Sequence, residues 1–200
     1  MDFPEKLKSL EPEALLPLAR ENLSSRRFLH TLGVEDRAIT LALRWGADVT
    51  EARRAALLHD MTKEARKELK LLEFCDIVPY EWEETAAPCR HALTAAALAR
   101  RWGFSPEVTD AVRWHTTGRA GMGLLEKIIY LADLTEPFRS DFPGLAALRR
   151  TVFDDIDGAM RLGLSIKLAH VEKKGQLADP ATRQALSAFE KLCFPKETGI

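Results

Sequence analysis

A helical period runs through nearly the whole chain and limits the folds that it can adopt. Apolar residues recur at steps of three, four and seven, as Phe28, Leu32, Ile39 and Leu43 do, and this spacing puts them on one face of a helix. No segment shows the convincing alternation of apolar and polar residues that a half-buried strand requires. The sequence therefore predicts an all-α fold, and its 200 residues are enough to enclose one large core.

Capping residues, prolines and glycines divide the pattern into five helices followed by two or three more. The predicted ranges are 24 or 25 to 46, 51–61 with Thr50 as cap, 88–103, 106–115 with Ser105 as cap, 123–136, 145–162, 165–174 and 180–192 with Asp179 as cap. The 51–61 helix is apolar on most sides, so it is expected at the centre of the fold. The breaks at 76–79 and 141–144 are interpreted as turns within one domain, and 74–87 as a surface excursion.

Charge and cysteine content disfavour several classes of protein. The 29 basic and 30 acidic residues leave a net charge of −1, which argues against a large nucleic-acid surface but is compatible with a local anion site. No apolar segment approaches the ~20 residues that a membrane span needs, and the N-terminus lacks a secretory signal. Three widely spaced cysteines, Cys75, Cys89 and Cys193, are typical of reduced thiols, so a cytoplasmic location is expected.

Four of the five histidines occupy comparable places, within helices or at helix ends: His30, His59, His91 and His115. Asp60 follows His59 directly after the apolar run 55–58, and Asp133 follows the apolar run 128–132. Ionisable groups buried in such surroundings cost free energy unless a hydrogen-bonding or charged partner compensates them, and a metal ion would be such a partner. Four imidazoles and two carboxylates exceed what one structural zinc uses, and they are enough for two cations that share a carboxylate.

A single helical histidine is more often a hydrogen-bonded core residue, so the metal hypothesis depends on all six residues together. His170 has no acidic residue or histidine at ligand spacing and is interpreted as structural. A plain helical bundle, in contrast, would have to leave Asp60 and Asp133 as unpaired buried acids.

These residues resemble the signature of the HD-domain metal-dependent phosphohydrolase superfamily, which consists of a His, a His-Asp doublet and a distal Asp. Two further histidines mark its dinuclear members. More narrowly, the segments 27–34, 56–63, 114–119 and 125–133, continuing through 136–144, are similar to the bacterial YqeK-type family of symmetrical diadenosine tetraphosphate hydrolases. The resemblance covers about residues 24–150, and the sequence departs from the family pattern at Met61-Thr62 and at Phe138.

The resemblance implies a single HD-type helical bundle with a dinuclear metal site among the ligand-bearing helices. Residues 1–23 would be a helical lead-in, 24–150 the phosphohydrolase core, and 151–200 C-terminal helices packing on the same domain. One metal would be held by His30, His59, Asp60 and Asp133, and the other by Asp60, His91 and His115. The expected cofactors are two divalent or mixed-valence ions, with iron first by resemblance and then manganese, cobalt, nickel or zinc, since the ligand set has no thiolate.

Asp60 and Lys63 are the predicted catalytic residues. Asp60 would bridge two cations whose shared hydroxide attacks phosphorus. Lys63 lies four residues after His59 and would share its face if the helix continues, so its ammonium could neutralise charge on the attacked phosphate.

Further substrate contacts are expected from side chains that match phosphate oxygens. The candidates are Arg119, Arg139, Arg27 with its neighbour Arg26, and the hydroxyls of Thr116 and Thr117. Trp114 and Phe142 are candidates for stacking on adenine. The competing interpretation is that the arginines are solvated surface residues, that the threonines end a helix, and that the aromatic rings belong to the core.

Three functions follow from these alternatives. The first is hydrolysis of diadenosine tetraphosphate into two ADP. The second is an HD-type nucleotide phosphatase or cyclic-nucleotide phosphodiesterase that uses the same metal site. The third is a non-catalytic nucleotide or metal sensor, which would have no reason to keep all six ligands together with Lys63. The expected partner is a dinucleoside polyphosphate or another nucleotide, with no membrane, and the chain is expected to be a monomer or homodimer.

Overall fold

A computed structural model describes residues 3–7, 9–65, 77 and 79–193, and this part of the chain is helical without any strand. The prediction of an all-α fold is confirmed. Within the described residues, ten helices and a 3-10 turn at Ala87–Cys89 follow one another. They are α1 Pro12–Asn22, α2 Ser25–Trp45, α3 Val49–Leu58, α4 Pro79–Glu84, α5 Arg90–Trp102, α6 Pro106–Trp114, α7 Leu124–Thr135, α8 Leu145–Asp154, α9 Ile156–Lys173 and α10 Pro180–Cys193. No described helix has the length and apolar character to cross a membrane.

Several helix ends lie where the sequence predicts them. The Ser24 hydroxyl accepts a hydrogen bond from the Arg27 backbone, and the Ser105 hydroxyl accepts one from Val108, so both serines satisfy otherwise unpaired donors of a first turn. At the other end of α2, Gly46 adopts a left-handed conformation with φ of 76°, which favours glycine. The predicted 123–136 helix corresponds to α7.

Helix α3 occupies the centre, as its apolar sequence predicts. Residues 55–58 are all fully buried, and α3 contacts α1, α2, α5, α6 and α7. Alanines at positions 52, 55 and 56 allow these neighbours to approach closely. Because α3 runs into the middle of the bundle, the residues that follow it lie in the interior.

Two predicted boundaries of α3 are wrong. Asp48, not Thr50, caps the helix by accepting a hydrogen bond from the Glu51 backbone at 2.9 Å. The helix also ends at Leu58, and Met61 and Lys63 then donate to carbonyls three residues earlier, which is turn geometry. Lys63 is therefore positioned by a turn and not by a continuing helix.

The C-terminal boundaries also differ from the prediction. The predicted 145–162 helix is interrupted at Asp155, whose carboxylate caps α9 by accepting from the Gly158 backbone at 2.9 Å. The predicted break before Ser165 is absent. Helix α9 continues through this residue, whose hydroxyl donates to the Arg161 carbonyl. The predicted excursion 74–87 contains helix α4, while residues 74–76 and 78 lie outside the described residues. Cys75 and the side chain of Cys193 are also outside them, and Cys89 is a buried free thiol.

The cap at Asp155 gives a stability prediction. Asp155→Ala should lower the free energy of unfolding by about 1 kcal/mol, because the first turn of α9 loses an acceptor. Urea denaturation measures this difference. Asp154→Ala is the matched control, since Asp154 is exposed and should change stability by less than about 0.5 kcal/mol. An equal loss in both variants would contradict the cap.

Candidate metal centre

Four imidazoles meet around one buried carboxylate. His30 comes from α2, His59 and Asp60 follow α3, His91 lies in the first turn of α5, and His115 follows α6. Successive rings in the order His30, His59, His115, His91 are separated by 5.5, 5.0 and 5.1 Å between centroids. Four different helix segments thus build one compact histidine series.

The two carboxylate oxygens of Asp60 lie near different histidines of this series. Oδ1 lies 3.2 Å from His91 Nε2 and 3.7 Å from His115 Nε2. Oδ2 lies 3.5 Å from His59 Nε2 and 4.0 Å from His30 Nε2. Two groups that share Asp60 therefore have ligand atoms close enough to hold a metal ion each, namely His30, His59, Asp60 and Asp60, His91, His115.

Three of the imidazoles are oriented by their other nitrogen. His30 Nδ1 lies 3.1 Å from Glu136 Oε1. His59 and His115 each approach the carbonyl three residues earlier with Nδ1, at 2.6 and 2.7 Å. A proton on Nδ1 leaves the Nε2 lone pair available, and such outer hydrogen bonds are typical of metal-ligating histidines.

Two buried nitrogens in the cluster make no hydrogen bond among the described residues, and they are His30 Nε2 and His59 Nε2. His30 Nε2 lies 3.1 Å from Asp133 Oδ1, which is within ion-pair distance when the imidazole carries a proton. Buried polar atoms are rarely left in this way, and a cation beside them would supply the missing partner. The donor set of imidazoles and carboxylates fits a borderline divalent metal.

The protonation of three members of the cluster also suits a metal. Burial lowers the pKa of His59 to about 4 and that of His91 to about 3, so both imidazoles are neutral at neutral pH. Burial alone would raise the pKa of Asp60, but the surrounding imidazoles and the Lys63 ammonium hold it well below its usual range. Metal ligands have to be deprotonated, and these three residues already are.

Cationic side chains surround the two aspartates. Arg27 donates to Asp60 Oδ2 at 2.7 Å, and Arg139 lies 3.5 Å from Asp133 Oδ1. The Lys63 ammonium lies 3.8 Å from Asp60 Oδ1 and about 3 Å from both ring nitrogens of His91. Positive charge is therefore concentrated at the rim of a negatively charged centre.

Two cavities adjoin the cluster. The first cavity has a volume of about 480 Å³ and is bordered by His30, Arg27, Arg139 and Phe138, among others. The second cavity has a volume of about 240 Å³ and is lined by Thr62, Lys63, Trp82, Ala87, Pro88, Arg90, His91 and Thr94.

The predicted substrate contacts separate into two sets. Arg27, Arg139 and Lys63 line the cavities, and the Thr116 hydroxyl lies 3.0 Å from His115 Nε2 and 3.3 Å from His91 Nε2. Arg26 also lines the first cavity. The structure thus brings these five residues to the cluster or its cavities.

Arg119 is not brought to either cavity. Its guanidinium donates to both carboxylate oxygens of Glu126, at 2.6 and 3.0 Å, and to Asp110 at 3.2 Å. Trp114 has the guanidiniums of Arg113 and Arg119 over its ring. Thr117, Trp114 and Phe142 line neither cavity, and His170, which is exposed on α9, belongs to neither group of ligands.

Sequence reasoning missed three supporting contacts. Glu136 is 1% exposed and orients His30; Gly33 makes room for it, because a Cβ there would lie 2.6 Å from Glu136 Oε2. Thr62 donates to the His91 carbonyl at 2.9 Å, and Lys167 of α9 donates to the Thr116 carbonyl. The position of Glu136, an acidic residue one turn after Asp133, could have indicated its role. No feature of the sequence indicates the contact of Lys167.

The comparisons with known proteins define the class first. Residues 27–137 match the family model described as HD domain, and this range contains all six predicted metal ligands. The chain belongs to the HD-domain family.

Particular relatives resemble it over most of its length. A protein from Bacillus subtilis named "Bis(5'-nucleosyl)-tetraphosphatase, symmetrical" is 36% identical over 173 residues, which cover 85% of this chain and 92% of that protein. A protein of the same name from Halalkalibacterium halodurans is 38% identical over 189 residues, covering 91% and 97%. A crystal structure from Clostridium acetobutylicum, described as a predicted HD superfamily hydrolase involved in NAD metabolism, has a TM-score of 0.78 and 31% identity, with coverage of 90% and 97%.

The contact between Glu136 and His30 gives a prediction for metal binding. Glu136→Ala should weaken the affinity for a divalent cation such as Mn²⁺ by about 10- to 100-fold, because His30 loses the acceptor that fixes its ring. Competition with a chelator of known affinity measures the change. Glu136→Gln should keep most of the affinity, since its amide oxygen can still accept the Nδ1 proton. Unchanged affinity in Glu136→Ala would contradict the orienting role.

Proposed function

We propose that the protein hydrolyses diadenosine tetraphosphate symmetrically. Water adds to one of the two central phosphorus atoms, the bond from that phosphorus to the central bridging oxygen breaks, and two ADP molecules leave. The observation that carries the proposal is the division of Asp60 between two histidine pairs, in a chain similar along most of its length to relatives named for this activity. The expected cytoplasmic location and the choice between monomer and homodimer stay predictions from the sequence.

The proposed cofactors are two divalent cations. His30, His59, Asp60 and Asp133 would hold one of them, and Asp60, His91 and His115 the other. Iron is the first candidate, followed by manganese, cobalt, nickel and zinc, all of which suit nitrogen and oxygen donors. When bound, such a pair lowers the pKa of water and neutralises phosphate charge.

The side chains of the first cavity would bind the phosphate chain. Arg27 and Arg139 each contact one of the proposed carboxylate ligands and border the same space. A phosphate group entering this cavity meets two guanidiniums beside the cluster, and a guanidinium pairs with phosphate through two parallel hydrogen bonds. The Thr116 hydroxyl, between His91 and His115, is a third proposed donor.

Lys63 is the proposed stabiliser of charge on the attacked phosphate. Its ammonium now rests against both nitrogens of His91. A cation on His91 Nε2 would repel it from that place, and the second cavity, which Lys63 lines, gives it room to reach a phosphate oxygen.

The products of the purified, metal-loaded protein test this function. Diadenosine tetraphosphate should yield ADP alone, at two molecules per substrate, by chromatography of the reaction mixture. AMP together with ATP would identify asymmetric cleavage, and inorganic phosphate would identify a phosphatase. Nucleotide binding without any turnover would identify a sensor, and each of these three results would contradict the proposal.

The shared carboxylate gives a prediction for metal content. Asp60→Ala should lose both metals and all turnover, because one residue serves two cations. His91→Ala should lower the metal content from about two towards one per chain, since it removes a ligand of one site only. Elemental analysis measures both, and His170→Ala is the control that should keep wild-type metal and activity. An Asp60→Ala protein with full metal content would rule out the shared arrangement.

A variant of Lys63 tests whether this residue acts through the charge of its ammonium group or through the local structure. Lys63→Ala should lower kcat/KM by about two to three orders of magnitude, because loss of one charge-stabilising donor costs about 3 to 4 kcal/mol. Metal content should stay at the wild-type value, since an ammonium is not a ligand. Lys173→Ala is the control, as Lys173 is exposed on α9. Wild-type turnover in Lys63→Ala would exclude the phosphate role, and loss of metal would assign the position to structure.

A further inference from the structure

We propose that the second cavity binds the base of one of the two nucleosides, so that the dinucleotide crosses the metal cluster from the first cavity to the second. This inference rests on the proposed function and adds the place of the second half of the substrate.

The two cavities adjoin opposite ends of the histidine series. His30 borders the first cavity and His91 lines the second. These two imidazoles approach different oxygens of Asp60, at 4.0 Å from Oδ2 and 3.2 Å from Oδ1. The proposed reacting centre therefore lies between the two spaces.

Symmetry of the substrate requires such an arrangement. The central anhydride bond of diadenosine tetraphosphate has an identical ADP group on each side. When that bond lies at the cluster, one nucleoside must leave it in each direction. A site with a single cavity would leave one base without contacts, whereas this site offers space on both sides.

The lining of the second cavity suits an aromatic base. Arg90 places its guanidinium 4.7 Å above the Trp82 ring. Arg90 Nε also donates to the carbonyls of Trp82 and Thr85, at 3.1 and 3.2 Å, which holds the guanidinium beside the indole. Indole rings and guanidinium planes are the groups on which proteins stack nucleobases.

Along the second cavity, the side chains suited to phosphate and those suited to a base come in the same order as the phosphate and the base of a nucleotide. Lys63 and His91 lie at the cluster, where the phosphates would be, and Trp82 and Arg90 provide the stacking wall. None of the eight lining residues among the described part of the chain is acidic, so nothing there repels a phosphate. A volume of about 240 Å³ is below the range of sites for whole drug-sized ligands and suits one base with part of its sugar.

Ala87 allows the cavity to be blocked without disturbing the core. Ala87 lines the cavity and is exposed, so Ala87→Phe fills the space from the solvent side. The variant should raise KM for diadenosine tetraphosphate by about tenfold or more, since base stacking contributes about 1 to 3 kcal/mol and 1.4 kcal/mol is tenfold. Glu83→Phe is the matched control, because Glu83 is exposed on α4 and lines neither cavity.

The binding of ADP gives a readout that does not depend on turnover. The metal-loaded wild type and Glu83→Phe should bind two ADP per chain in calorimetry, one in each cavity, while Ala87→Phe should bind one. Trp82→Ala should raise KM in the same way and Trp82→Phe should restore it, because a phenyl ring still stacks. A merely structural role of Trp82 would lower the melting temperature without this selective effect on KM.

The possible results separate this inference from the function on which it rests. Two ADP per chain and an unchanged KM in Ala87→Phe would overturn the proposal for the second cavity, even when the wild type releases two ADP from its substrate. A wild type that does not release two ADP overturns the proposed function, and the stoichiometry of ADP then decides the second cavity by itself.

Discussion

The rest of the site depends on the contacts that the buried carboxylate of Asp60 makes with the groups around it. Asp60 is 3% exposed, and a carboxylate at that depth is costly unless charged or polar partners surround it. Its partners come from four separate segments of the bundle, so the same contacts that stabilise the charge also hold α2, α5 and α6 against the end of α3. The geometry of the candidate ligands is therefore set by packed helices and by the turns that directly end two of them, and such rigid supports keep a site precise.

The structure brings together the four histidines and Asp60 that the sequence pattern singles out. His59 and Asp60 follow four fully buried residues, and polar residues in such a place have few structural explanations, which is why they are candidates within the set of six. The helix that would place Lys63 on the same face as His59 does not continue to Lys63, and helical periodicity does not reveal where a helix stops. The turn after Leu58, closed by the hydrogen bond from Met61 to Leu58, brings Lys63 to the same cluster by a different route.

The local sequence pattern does not predict other contacts of the site. Lys167 donates to the carbonyl of Thr116, 51 residues earlier in the chain, and a contact of this range leaves no periodic trace. Arg119 shows the opposite case, because its place beside His115 suggested phosphate binding while Glu126 holds it by two hydrogen bonds. The same carboxylate accepts from the Gly123 backbone at 2.7 Å, so Arg119 is tied to the start of α7.

Charge explains why metal and substrate binding should be coupled in this site. The chain is nearly neutral as a whole, yet its interior carboxylates are matched by Arg27, Arg139 and Lys63 at the rim. Without cations these side chains neutralise Asp60 and Asp133. Two divalent ions in the cluster would make the local charge strongly positive and free the rim cations for another anion. The tetraphosphate chain of the proposed substrate would supply that anion, and each ligand would then raise the affinity for the other by the same factor.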